Sequence, residues 1–313
     1  MACSAEDEAA VKNTFDYELS TIAEALYETP ELLHEAQKST LADSLRSLVD
    51  QNTASISSEN VRFVLDGGAL LHRIPWSRGS SFESILSTYG NFVSKNYGEA
   101  IMVFDGYKAF TTKDMTHKRR SKGKNGVCIS FDRDMNLTVT KEVFLSNSQN
   151  KQRFINFLGE TLEVLGCTVF HDSADADLLI VQKAVESASS METVLVGDDT
   201  DLLVPLIHHV PLESKDIFFA SERKKNSKGR VWNIKKVKAG LGPLLCKLIL
   251  FSHTVLGCDT TSQLFGIGKG SILKKIKQNN DLQQAAKVFD NPHSRDCWRK
   301  GFGGYVQWEE FRN

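Results

Sequence analysis

Eight aspartates fall into five short clusters, and nearly every cluster follows an apolar run of strand composition. They are Asp66 in FVLDGG, Asp105 in IMVFDGY, Asp175 and Asp177 in SADADLL, Asp198, Asp199 and Asp201 in VLVGDDTDLL, and Asp259 in LGCDTT. The strand-like runs are VRFVLD (61–66), AIMVFD (100–105), CTVFH (167–171), ETVLVG (192–197) and DIFFA (216–220). Between them lie helical stretches at 82–98, at about 149–165 and from Ala174 onward. Strands alternating with helices predict parallel β-α units, an α/β chain with a mostly parallel central sheet. In such a sheet the carboxyl ends of the strands border the crevice where ligands bind. Like charges do not stay ionised in one crevice without cations, so the clusters predict a carboxylate site for divalent metal. Mg²⁺ or Mn²⁺ suits an all-oxygen donor set.

The rest of the chain is consistent with that frame. At 313 residues and 41% hydrophobic content it has ample material for one large domain with appendages. No apolar run reaches the roughly 18 residues a membrane span needs. The start, MACSAEDEAA, lacks the basic and apolar regions of a secretory signal. Six scattered cysteines without a C-x-x-C pair argue for reduced thiols and against a zinc module. The expected setting is intracellular, with the nucleus ahead of the cytoplasm. The net charge of −1 hides a division: residues 1–60 hold 12 acidic and 3 basic side chains, the remainder 27 acidic and 35 basic. A basic body around an acidic metal centre suits a polyanionic substrate.

The expected organisation has three parts. Residues 1–60 are an acidic helical extension with a polar linker (51–60), divided into two helices at Pro30. Residues 61–232 are the α/β core, with a β pair near VCISF and LTVT after the second strand. Residues 233–313 are helical.

Asp199 and Asp201, one residue apart after a strand, can aim at one metal or at two. Asp175 and Asp177 open a helix, where the dipole favours negative charge and capping alone would explain one of them. Two ions roughly 3.5–4 Å apart can clamp a phosphodiester. Any single aspartate is as readily a turn former or a helix cap; the five clusters together are not. Asp198 is the weakest, because Asp199 and Asp201 suffice. Gly266, Gly268 and Gly270 precede a helix bearing Lys269, Lys274, Lys275 and Lys277, an arrangement that lets backbone N–H groups meet a phosphate. The stretch 113–124 has six basic residues and one acidic, and is a candidate strand-grasping loop; a solvated loop is the plainer alternative. Core packing is the expectation for most of Phe82, Tyr89, Phe92, Tyr97 and Tyr107, with base stacking the alternative.

The order of these motifs resembles the flap-endonuclease-like branch of the PIN-like nucleases, from about Val61 to Phe289. In that family an early strand ends in a metal-site aspartate, matching Asp66, and a V-F-D-G strand end matches Val103–Gly106. Basic residues follow, then an acidic pair (Asp175, Asp177), a D-x-D pair (Asp199, Asp201), and a glycine and aspartate before a G-I-G-K turn (Gly257, Asp259, Gly266–Lys269). More narrowly, FLSNSQNKQRFINFL, DADLLIV, VGDDTDLL and LGCDTTSQLFGIGKG resemble a group of animal proteins associated with mobile elements. The resemblance implies a three-layer PIN-like fold with a helix-turn-helix that grips duplex phosphates, with K⁺ at its turn. It also implies a structure-specific endonuclease or 5′ nuclease. The acidic pair is Asp-Asp where the family's repair enzymes use glutamates.

The expected activity is Mg²⁺- or Mn²⁺-dependent phosphodiester hydrolysis with two ions, on DNA ahead of RNA. Asp66, Asp105, Asp175, Asp177, Asp199, Asp201 and Asp259 would hold the metals. Lys108 and Arg119, with Lys118 and Arg120, would stabilise the scissile phosphate. Lys113, Lys118, Arg120, Lys122, Gly266, Gly268, Lys269 and Lys274 would contact nucleic acid. The alternatives are an inactive nucleic-acid-binding protein on the same scaffold and a phosphatase of the haloacid-dehalogenase type, whose D-x-D motif DDTDLL superficially resembles.

Overall fold

A computed structural model of the chain describes residues 60–106, 126–172, 176–221 and 230–255, with short pieces within 27–45 and 273–283. The backbone falls into two compact units, Lys38–Leu250 and a second made of Met1–Gln37 with Phe251–Asn313. In the second unit, β1 (Tyr27–Thr29) and β2 (Leu32–Leu33) pair antiparallel on either side of Pro30. Where two helices were expected, the described residues are two short paired strands.

The Lys38–Leu250 unit is built on one six-stranded sheet. Its strands are β3 (Val61–Asp66), β4 (Ile101–Phe104), β5 (Thr168–His171), β6 (Glu192–Val196), β7 (Ile217–Ser221) and β8 (Arg230–Asn233). They lie in the order β5-β4-β3-β6-β7-β8, and every pairing is parallel except β7–β8. The chain runs outward from β3 to β4 and β5, then crosses back to begin again at β6 beside β3. The switch point of the sheet therefore lies between β3 and β6, where open α/β sheets place their crevice.

Among the described residues six helices lie between these strands, α1 (Gly67–Arg73), α2 (Phe82–Tyr97), α3 (Lys141–Leu145), α4 (Ser148–Val164), α5 (Ala176–Ala188) and α6 (Thr200–His209), and α7 (Ile234–Val255) follows β8. α7 is kinked at Gly242 (φ 79°), directly before Pro243. The inner strands are apolar on both faces because both faces are covered, whereas the edge strand β5 is exposed or half-buried. Leu65, Met102, Phe104, Val194, Val196 and Phe218 point into a core with α2 and α4. Their neighbours Val64, Val103, Leu195 and Phe219 are equally buried and alternate to the other face.

The β pair expected near VCISF and LTVT is absent from the described residues 126–140, which carry one isolated bridge, Ser81 to Asn136. Residues 133–137 exchange backbone hydrogen bonds with 79–83, and a side chain holds residues 127–129. Asn150, 1% exposed, donates to the Val127 and Phe144 carbonyls and accepts from the Ile129 amide. Phe131 and Leu137 bury their side chains without a ladder. Three elements have no counterpart in the sequence expectation: α1, α3 and β8. Among the described residues no helix is long and apolar enough to cross a membrane.

Candidate metal centre

β3 ends at Asp66 and α1 starts at the next residue, so one carboxylate both closes a strand and opens a helix. Its Oδ1 accepts from the Gly68 amide at 2.8 Å and the Ala69 amide at 3.1 Å. The first glycine behind it is required by space. A Cβ on Gly67 would stand 2.3 Å from the Phe104 ring and 2.7 Å from the Val103 carbonyl. A Cβ on Gly68 would lie 3.2 Å from Asp66 Oδ1 and 3.5 Å from Asp105 Oδ2, so the missing side chain leaves room between two carboxylates.

Asp105 follows β4, the neighbour of β3, and its Oδ1 accepts from the Ala176 amide (2.9 Å) at the start of α5. Asp199 follows β6, the other neighbour, and caps α6 through the Asp201 amide (3.1 Å). Three carboxylates thus flank the switch point, and one oxygen of each is fixed by the start of a helix. Burial pushes the Asp66 carboxyl up to about 6; the charges of Asp105 and Asp199 push the same way, against the Ala69 and Gly68 hydrogen bonds. Asp201 is 7% exposed in the first turn of α6, and Asp177 is half-buried in the first turn of α5.

Asp198 differs from its neighbour. It is exposed, and it pairs with Arg73 at 3.4 Å. Arg73 ends α1, and burial lowers its proton affinity against the opposing charges of Asp198 and Asp66.

Lys151 was not among the expected site residues. It lies in the first turn of α4, only 9% exposed. Burial pulls its ammonium down to about 8, while the carboxylates of Asp105 and Asp66 hold it up. The signal was available in the sequence: Lys151 precedes Phe154, Ile155 and Leu158 by three, four and seven residues, so it occupies the apolar stripe of an amphipathic helix.

All-oxygen donors, a like-charge cluster and the space above Gly68 fit a hard divalent cation. Among the described residues, no three such side chains already converge on a single point. Asp175 and Asp259 lie outside the described residues, as do Lys108, Lys113, Lys118, Arg119, Arg120, Lys122, Gly266, Gly268, Lys269 and Lys274.

No family model matches the chain, and no curated protein does. Among solved structures, the T5 D15 protein co-crystallised with metal ions is similar over 70% of this chain and 75% of that one, at 13% identity and a TM-score of 0.43. Human GEN1 in complex with Holliday junction DNA is similar over 85% of this chain and 62% of that one, at 13% identity and a TM-score of 0.42. The catalytic core of Rad2 in complex with DNA substrate covers 82% and 72%, at 15% identity and a TM-score of 0.44. The described sheet is mixed and mostly parallel with helices on both sides, the α/β architecture that the alternation of strands and helices implied.

The aromatic residues resolve toward packing. Phe82 and Tyr89 are buried in the core, and Tyr97 lies edge-on to Phe63 and Phe92. His171 stacks on Phe104 with a centroid distance of 5.6 Å.

Proposed function

We propose that this chain is a divalent-metal-dependent nuclease that hydrolyses phosphodiester bonds, in DNA ahead of RNA. One observation carries the reading: Asp66, Asp105 and Asp199 flank the switch point of the sheet, with the charges of Asp105 and Asp199 close enough to raise the proton affinity of Asp66. Asp66, Asp105 and Asp199, with Asp177 and Asp201 and with Asp175 and Asp259 from the motifs, would hold two Mg²⁺ or Mn²⁺ ions. Bound there, such ions lower the pKa of water and neutralise charge on a phosphate.

The protein's own contribution is orientation. The amides of Gly68, Ala69, Ala176 and Asp201 fix one oxygen of each carboxylate, so little reorganisation remains when substrate arrives. The excess of basic residues after residue 60, 35 against 27 acidic, favours a polyanion. Lys108, Arg119 and the stretch 113–124 follow Asp105 in the chain and would approach the phosphate at this edge. The Gly266–Lys269 turn would hold duplex backbone away from the cut, with K⁺ as its ion. A structure-specific endonuclease or 5′ nuclease is the finer assignment.

The test is cleavage of branched, single-stranded and duplex substrates in Mg²⁺, in Mn²⁺ and in EDTA. Asp199→Asn with Asp201→Asn should lower turnover by about 10²–10³-fold or more with the fold intact by circular dichroism. Undiminished cleavage by that variant, or full activity in EDTA, sinks the assignment. Turnover of a small phosphate ester and none of nucleic acid would point to the phosphatase instead.

A further inference from the structure

An ion pair bridges the switch point without involving a proposed metal ligand. α1 turns Asp66, Ala69, Leu70 and Arg73 to one side, at helical spacing, and these four line a narrow cavity with Val196 and Gly197 at the end of β6. Asp66 stands at one end of this stripe and Arg73 at the other. Asp198 follows Gly197 directly, and its Oδ2 accepts from Arg73 Nη2 at 3.4 Å. The contact therefore joins α1, which begins at the Asp66 carboxylate, to the loop that carries Asp199. It is long for a charge-assisted hydrogen bond, and the two side chains are 25% and 48% exposed. A pair of that kind adds little stability, so an incoming anion displaces the carboxylate at small cost.

We propose that Arg73 is a phosphate-binding residue: Asp198 holds its guanidinium beside the carboxylate edge, and a phosphate of the nucleic-acid strand takes the place of that carboxylate when substrate arrives. This rests on reading the edge as a nuclease site. A strand that approaches Asp66, Asp105 and Asp199 meets like charge, and a guanidinium on the same side of α1 as Asp66 offsets it. The planar fork of arginine matches two phosphate oxygens, a better partner than a carboxylate oxygen at 3.4 Å. Every phosphodiester offers those oxygens, so Arg73 contributes affinity and register rather than base preference.

The experiment is a double-mutant cycle of Arg73→Gln and Asp198→Asn. It is read by fluorescence anisotropy of a labelled branched DNA in EDTA across a salt series, and by the KM-against-kcat split in Mg²⁺. Arg73→Gln should weaken binding on the order of tenfold, reduce the salt slope by about 1 and raise KM more than it lowers kcat. Asp198→Asn should tighten binding severalfold in the wild-type background and leave it unchanged in the Arg73→Gln background, because that carboxylate competes only for Arg73. An equal gain in both backgrounds shows a general charge effect, and equal losses from the two single variants show a purely structural ion pair; either overturns the proposal. If Arg73→Gln does not fold, the charge-conserving Arg73→Lys decides: loss of the fork should weaken binding severalfold with the salt slope kept, and unchanged affinity overturns the proposal. Wild-type protein that binds the DNA but cleaves nothing in Mg²⁺ or Mn²⁺ overturns the nuclease reading, a separate result that leaves the binding cycle to judge Arg73.

Discussion

The aromatic core and the carboxylate edge are built on the same strands, and they solve opposite problems. In the core, Phe82, Phe131 and Phe144 sit with ring centroids 4.2–5.2 Å apart, and Trp76 packs on Phe154 at 4.6 Å. Its polar atoms are used up: Trp76 Nε1 donates to the Tyr89 hydroxyl (2.9 Å), which donates to the Leu71 carbonyl (2.7 Å). At the edge, the starts of helices fix one oxygen of each carboxylate, while burial and the charges of Asp105 and Asp199 oppose ionisation of Asp66. Burial stabilises the first region and penalises the charge of Asp66 in the second. Under the proposed reading, a bound cation would relieve that penalty.

The contrast can be broken at three places, in order of expected effect. Phe82→Ala removes a ring that is 2% exposed and should lower stability by about 3–5 kcal/mol in urea denaturation, without altering turnover per folded molecule. Asp66→Asn should act in the other direction. The folded-state pKa of Asp66 is about 6 against an ordinary 3.8, so its carboxyl favours the fold while protonated, and that contribution is lost as pH rises through about 6. In EDTA at pH 7.5 the asparagine variant should be more stable by up to about 3 kcal/mol, and the gap should close toward pH 4. A gap that is constant with pH would show that Asp66 feels no like-charge or burial penalty. The smallest effect belongs to Asp198→Asn: its partner Arg73 is 3.4 Å away and its side chain is 48% exposed. The denaturation midpoint should move by no more than about 1 kcal/mol, and cleavage should persist.

Much of this was legible in the sequence for a physical reason. Inner strands covered on both faces need uninterrupted apolar runs, so β3, β4 and β6 were readable, together with the aspartates at or just after their ends. α1 was not, because it opens with two glycines, poor helix formers whose presence makes sense only beside the Phe104 ring and the Asp105 carboxylate. VCISF and LTVT have strand composition, yet Asn150 and the buried Phe131 serve that segment in place of a ladder. Lys151 and Arg73 were missed because basic side chains are assigned to solvent by default. Only tertiary structure brings them to Asp66.

The helix-capping role of the carboxylates has a further consequence. Asp66 and Asp199 cap α1 and α6, a task worth about 0.5–2 kcal/mol apiece that asparagine performs equally well, and Asp105 accepts from the first amide of α5 from beyond the end of β4. Selection on the fold alone would therefore tolerate amide for acid at all three positions, while alanine there would fray α1, α5 and α6. A sister copy that had given up hydrolysis would carry asparagines at 66, 105 and 199, and would fold better for the exchange.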